Sequence, residues 1–122
     1  MAVTYTTSLK NTRLDAVTTA IGAAGKLEIG TAGMALVLAT IPLANPAAPG
    51  AAGGILTLTM PQSDTSADAT GTAAAARIRT GADADVVTGL TVGTSGTDIV
   101  LNSTSITAGQ QVTINSATIT HG

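Results

Sequence analysis

Apolar and polar residues alternate along the last third of the chain, in the pattern of short β-strands with one buried face. The clearest run lies between residues 83 and 120, where one face of the first predicted strand carries Val86, Thr88, Leu90 and Val92. Turns rich in Gly, Ser and Thr separate this strand from the strands that follow it. Regularly spaced short strands of this kind are typical of half of a β-sandwich or a jelly-roll-like domain.

The last predicted strand changes the face on which its apolar residues lie. Val112 and Ile114 share one parity, whereas Ala117 and Ile119 share the other. Because successive side chains of a strand point to opposite faces, one extra residue is needed to keep all four on the buried side. The pattern therefore predicts a bulge or bend near Ser116.

Four stretches upstream also have strand character. Residues 26–31 and 55–60 are predicted to alternate between a buried and an exposed face. Residues 34–43 are apolar on both faces, which is typical of a central strand or of one at an interface. The alanines within residues 72–80 also favour a helix, but glycines flank this short run and we predict a strand.

The segments between these strands are predicted to be loops. Residues 45–54, with the sequence NPAAPGAAGG, are expected to form an extended surface loop that contributes nothing to a core. Residues 61–71 are predicted to be a polar turn region. At the start of the chain, residues 1–7 are predicted to be an N-terminal arm, either frayed or lying on a neighbouring subunit.

One helix is predicted, over about residues 8–24. Leu14, Val17 and Ile21 recur at helical spacing, with Leu9 beside this stripe. The sequence therefore predicts a mainly-β domain with one N-terminal α-helix. We expect a single domain that comprises residues 8–122.

Suitable capping residues lie at both ends of the predicted helix. Thr7 or Ser8 can accept a hydrogen bond from the N–H groups of the first turn. Gly22 or Gly25 can adopt the left-handed conformation that ends a helix.

The composition indicates a thin core. The 122 residues include 23 Ala and 23 Thr but one Tyr and no Phe or Trp. Burial stabilises a fold by roughly 25 cal/mol per Å² of apolar surface, so an alanine contributes little and an aromatic residue much. We therefore expect the protein to bury further surface against other copies of itself or against a larger assembly.

Few residues are charged, and their balance argues against nucleic acid as a partner. Five Lys and Arg residues against seven Asp and Glu residues give a formal net charge of −2. A nucleic-acid binder normally carries a basic patch, whereas Arg77 and Arg79 are predicted to form a solvated face. The longest apolar run, residues 34–39, is too short to span a bilayer, and no secretion signal or membrane partner is predicted.

A nucleotide site is not predicted, although residues 22–26 have the sequence GAAGK. A phosphate-binding loop needs a Ser or Thr after its lysine and lies between a strand and a helix. Here Leu27 follows Lys26, and the predicted order is helix and then strand. The glycines are better explained as the end of the helix.

The remaining polar residues also fall short of an active site or a metal site. Asp64, Asp68, Asp83 and Asp85 lack the distal Glu of a calcium loop and are predicted to be solvated turn residues. His121 is the only histidine, and the chain has no cysteine. We therefore predict that the protein is not an enzyme and needs no metal or other cofactor.

Three stretches resemble a known family. These are SLKNTRLDAVTTAIGAAGKLEI at residues 8–29, GGILTLTM…DTSADATGTAAAARI at residues 53–78, and GLTVGTSGTDIVLNSTSITAGQQVTINSATITHG at residues 89–122. They are similar to small virion-associated structural proteins of tailed bacteriophages. Residues 30–52 depart from the family pattern, being shorter, richer in Ala and more apolar.

The resemblance implies a structural role in the phage particle. The expected function is that of a capsid decoration or cement protein, which bridges capsomers on the surface of the virion and is assembled in the host cytoplasm. Its implied partners are the major capsid protein and further copies of itself in a homotrimer. A tail-tube, connector or fibre-base subunit is the alternative. A sugar-binding module outside the particle is disfavoured because aromatic platforms are lacking.

Apolar positions in the arm and in the divergent segment are the predicted protein contacts. These candidate contact residues are Val3, Tyr5, Met34, Leu36, Leu38, Pro46 and Pro49. Residues 2–5 are further suggested to add a strand to a neighbouring sheet.

Overall fold

The computed structural model describes residues 5–22, 24–44, 47–59, 62–101 and 103–120. Within these residues a single α-helix, α1 (Thr7–Ile21), precedes ten β-strands. The strands are β1 (Lys26–Gly30), β2 (Val37–Pro42), β3 (Ile55–Thr57), β4 (Gln62–Asp64), β5 (Gly71–Thr72), β6 (Ala75–Arg79), β7 (Asp85–Gly93), β8 (Ile99–Leu101), β9 (Ser105–Ile106) and β10 (Val112–Thr120). The predicted mainly-β class with one N-terminal helix is confirmed. No helix in these ranges is long and apolar enough to cross a membrane.

Eight of the strands form one curled sheet. Its order is β2-β1-β6-β7-β8-β10-β3, and β4 pairs with β10 off this path. Neighbouring strands run antiparallel except β7 and β8, which pair in parallel, so the sheet is mixed. β5 and β9 form a separate two-stranded sheet.

The curl of the sheet encloses a single core made of aliphatic side chains. Every strand of the main sheet except β4, together with α1 and β9, contributes a buried apolar side chain to this core. Its largest fully buried members are Ile21, Leu27, Ile29, Leu38, Ile41, Leu56, Ile78, Ile99, Leu101, Ile106 and Ile114. Branched aliphatic residues thus replace the aromatic residues that the chain lacks.

The helix starts and ends closer to the N-terminus than predicted. Thr6 is its N-cap, and the Thr6 Oγ1 atom accepts a hydrogen bond from the backbone N–H of Leu9 at 3.2 Å. At the other end Gly22 adopts a φ of 75° and donates its N–H to the carbonyl of Thr18. The predicted span of about 8–24 therefore starts one residue late, because Thr6 rather than Thr7 or Ser8 is the cap. It also extends too far at its end, where the helix stops at Gly22, one of the two glycines predicted to end it.

The predicted strand over residues 34–43 is shorter than expected. β2 begins only at Val37, because residues 31–36 form a tight turn. The Met34 N–H donates to the Thr31 carbonyl at 2.8 Å, and the Leu36 N–H donates to Thr31 Oγ1 at 3.1 Å. Met34 itself has a φ of 58°, which is incompatible with a strand.

The alanine-rich loop contributes to the core, contrary to the sequence prediction. Ala47 and Ala48 are only 1% and 2% exposed. The Ala47 carbonyl accepts the N–H of Thr59 at 2.9 Å, which fixes the loop beside the segment that follows β3. Alanine side chains are small enough for this close approach, so the two residues are buried although each contributes little apolar surface.

The segment predicted to be a polar turn, residues 61–71, contains the strand β4, which pairs with the start of β10. The sequence pattern missed this strand because its residues are polar and only half-buried.

The bulge expected near Ser116 is confirmed, since the register of β10 against β8 shifts between Ile114 and Ser116.

Candidate functional site

The outer face of β1 and β6 carries a network of ion pairs. Antiparallel pairing sets Glu28 opposite Arg77, and the Arg77 Nε atom lies 2.6 Å from Glu28 Oε1. Arg79 Nε lies 3.6 Å from the same oxygen and 2.7 Å from Asp85 Oδ1. The prediction of a solvated face at the two arginines is wrong, because their side chains are only 22% and 23% exposed.

A second ion pair lies beside this network. Lys26 contacts the carboxylate of Asp83, which sits in the turn between β6 and β7 with a φ of 66°. The hydrogen bond from Lys26, together with its positive charge, lowers the pKa of Asp83. The hydrogen bond to Asp85 raises the pKa of Arg79, which stays charged. Asp83 and Asp85 are therefore ion-pair partners rather than simply solvated turn residues.

Other carboxylates bind backbone N–H groups of the same chain. Asp64 accepts from Thr40 at 3.1 Å and from Ser66 at 3.0 Å. Asp98 accepts from the N–H of Thr91 at 3.0 Å. On α1, Asp15 accepts from the N–H of Ala51 at 2.7 Å. Most of the sparse charge is thus engaged inside the molecule.

Four large apolar side chains remain exposed on the described surface. Tyr5 and Leu9 are 39% and 44% exposed at the start of α1, and the Arg13 guanidinium carbon lies 4.8 Å from the centre of the Tyr5 ring. Leu36 is 47% exposed in the turn before β2, and Ile55 is 41% exposed at the start of β3. The exposure of Tyr5 and Leu36 leaves both available as the predicted contacts.

The other candidate contact residues differ in accessibility. Pro49 is exposed and Met34 is half-buried. Leu38 is fully buried in the core, so it is not available to a partner, and the predicted contact at this position is corrected. Leu38 lies beside β5, where a side chain at Gly71 would come within 3.0 Å of Leu38 Cδ2. Val3 and Pro46 lie outside the described residues.

Sequence reasoning missed Leu9 and Ile55 as exposed apolar residues. Leu9 adjoins the apolar stripe of α1 in sequence, yet it points away from the core that buries Leu14. Ile55 lies in a run predicted to be a strand, but its side chain is on the outward face, opposite to that of Leu56. Alternation alone could have placed Ile55 on the outer face.

A small cleft of about 150 Å³ lies where β8, β9 and β10 meet. Its polar lining comes from Ser103, Gln110, Gln111 and Thr113. Gln110 Oε1 already accepts the N–H of Thr107, and Thr113 Oγ1 is hydrogen-bonded to Ser63. None of the side chains lining this cleft is ionisable.

The described residues contain no group of three or more His, Cys, Asp or Glu side chains that could hold a metal ion. Comparison of the chain with family models, curated proteins and solved structures found no match. The described surface combines internally paired charges with separated exposed apolar side chains.

Proposed function

We propose that the protein is a structural component of a tailed-bacteriophage particle, and specifically a capsid decoration protein that bridges neighbouring capsomers. The observation that carries this proposal is the internal pairing of the charged side chains. Glu28, Arg77 and Arg79 are joined on one sheet face, and Asp64 and Asp98 bind backbone N–H groups. The motif resemblance of the chain points to the same class of protein.

Because the charges are paired within the molecule, covering this surface has a low desolvation cost. A charged group that loses water without a partner destabilises a complex, whereas a group already paired has less hydration to lose. Exposed apolar side chains such as Tyr5 and Leu36 then supply favourable burial. A surface with paired charges and exposed apolar side chains can lie against a capsid shell that does not offer an opposite charge for each of its charged groups.

The proposed mechanism is additive. Each copy contacts the major capsid protein of adjacent capsomers and also further copies of itself, as a homotrimer. One copy alone would bind weakly, but many contacts repeated over a shell raise the overall avidity. Such a protein stabilises the particle by joining its subunits, and catalysis has no part in this role.

Labelling of intact particles tests the proposal. Antibodies against the purified protein are applied to intact phage particles that encode it, and bound gold is located by electron microscopy. Gold distributed over the capsid surface is the expected result. Gold confined to the tail or the connector would instead favour the alternative structural role, and particles without label would overturn a role in the virion.

A further inference from the structure

We propose that copies of this chain associate head to tail, with the exposed stripe of α1 of one copy against the border of β2 of the next. This inference rests on the proposed function, since it identifies the surfaces that would join the copies of the decoration protein. The two surfaces lie on different elements of the fold and carry opposite charges. The first, called the α1 stripe, consists of Tyr5, Leu9, Arg13, Ala16 and Ala20.

The α1 stripe is one exposed, largely apolar face of the helix. Leu9, Arg13, Ala16 and Ala20 are spaced three or four residues apart, which places them on one side of the helix. Tyr5 precedes the helix and joins this side through its contact with Arg13. All five are exposed, whereas Leu14 and Ile21 on the inner side are buried. The only charge on the stripe is Arg13, whose guanidinium stacks on the Tyr5 ring.

The second surface, called the β2 border, consists of Met34, Leu36 and Asp68. Asp68 donates its backbone N–H to the Leu38 carbonyl at 2.7 Å, which holds residues 68–71 along the start of β2. A side chain at Gly71 would lie 3.3 Å from Thr31 Cγ2, so the two segments stay close along this length. The only charge on the β2 border is the exposed Asp68.

The two surfaces complement each other and lie on separate parts of the fold. One is apolar with a single cation and the other is apolar with a single carboxylate, so contact between them pairs Arg13 with Asp68. α1 packs on β3 and β7, whereas β2 pairs with β1 and contacts β4. Contact between unlike surfaces of identical copies is head to tail, and it closes into a ring when the rotation between copies permits.

Self-contact of the α1 stripe is a less favourable arrangement. A two-fold pairing of this stripe with itself would bring two Arg13 side chains together without a carboxylate between them. Asp15 on the same helix is engaged by the Ala51 N–H on another side. The charge pattern therefore favours the head-to-tail contact with a second copy.

A charge swap tests this contact in the purified full-length protein. Sedimentation is expected to give a mass that is a multiple of the chain mass of 11.8 kDa. Arg13→Glu and Asp68→Arg are each expected to weaken association about tenfold or more, because each places like charges together. The double variant R13E/D68R is expected to restore association, since it exchanges the two charges.

Matched apolar variants distinguish a specific contact at the α1 stripe from non-specific hydrophobic association. Leu9→Ser is expected to weaken association, whereas Ile55→Ser, at a similarly exposed position outside both surfaces, is expected to leave it unchanged. Circular dichroism checks that each variant is folded. A monomeric wild type, failure of the double variant to reassociate, or equal effects of L9S and I55S would each overturn the inference.

The outcome is independent of the particle-labelling experiment. A monomeric protein that nevertheless labels the capsid would overturn the head-to-tail contact and leave the decoration role intact. A protein that forms rings by this contact but labels no particle would support the contact and overturn the proposed function.

Discussion

The backbone N–H of Thr40 donates to the Asp64 Oδ2 atom at 3.1 Å, across the seam where β2 meets β4. A second hydrogen bond crosses this seam, from the Asp68 N–H to the Leu38 carbonyl at 2.7 Å. The next outward position along β2 is Pro42, which has no N–H to donate. The edge of β2 is thereby covered, which protects it from pairing with another strand.

Removal of the Asp64 carboxylate is expected to weaken this seam. Asp64→Ala leaves the N–H groups of Thr40 and Ser66 without their acceptor and should lower the free energy of unfolding by about 1–2 kcal/mol. Asp64→Asn retains one acceptor oxygen and should lose less. Urea denaturation measures both values. An unchanged midpoint in the alanine variant would show that the seam does not contribute to stability.

Loss of Glu28 is expected to destabilise the fold because Arg77 loses its ion-pair partner, whereas Arg79 keeps Asp85. Glu28→Ala removes the oxygen that lies 2.6 Å from Arg77 Nε and should cost about 2 kcal/mol. This is less than for a fully buried pair, because solvent still reaches part of each arginine. A double-mutant cycle with Arg77→Met measures the coupling in thermal or urea unfolding. Additive effects of the two substitutions would contradict a direct interaction.

Stability is expected to decrease in acid, partly through Asp83. Its contact with Lys26 lowers the pKa of Asp83 below the ordinary value of 3.8. The folded protein therefore holds this carboxylate deprotonated more strongly than the unfolded chain does. The resulting stabilisation is complete above the unfolded pKa and is lost as the pH falls through the lower, folded pKa.

NMR titration of the Asp83 carboxyl group measures this effect directly. The pKa of Asp83 should lie below 3.8 in the wild type and rise toward that value in Lys26→Met. A pKa that is the same in both proteins would show that Lys26 does not perturb Asp83.

Two glycines in the first hairpin are expected to respond differently to alanine. A Cβ atom on Gly30 would lie 2.7 Å from the Leu36 carbonyl oxygen, so Gly30→Ala should cost about 2 kcal/mol through overpacking. Gly33 has open space but a φ of 69°, so Gly33→Ala should cost about 1 kcal/mol through backbone strain. Thermal unfolding of both variants gives the order. A larger loss at Gly33 would contradict this explanation.

The local sequence pattern predicted most of the secondary structure. Alternation of apolar residues placed β1, β3 and β7, and the change of parity around Ser116 predicted the bulge in β10. These features depend on neighbouring residues, whose side-chain directions follow directly from strand or helix geometry. Tyr5 and Leu36, two of the candidate contact residues, are exposed, whereas Leu38 of the same set is buried.

Contacts between distant segments decided the remainder. β4 is a strand because β10 pairs with it, although its own residues are polar. Leu38 is buried where β5 lies beside it, and Arg77 is paired because the strand register sets Glu28 opposite it. The sequence by itself determined which residues can form strands and which face of each strand is apolar. Only the tertiary structure decided which strands pair and what covers them, because burial and charge pairing depend on segments far apart in the chain.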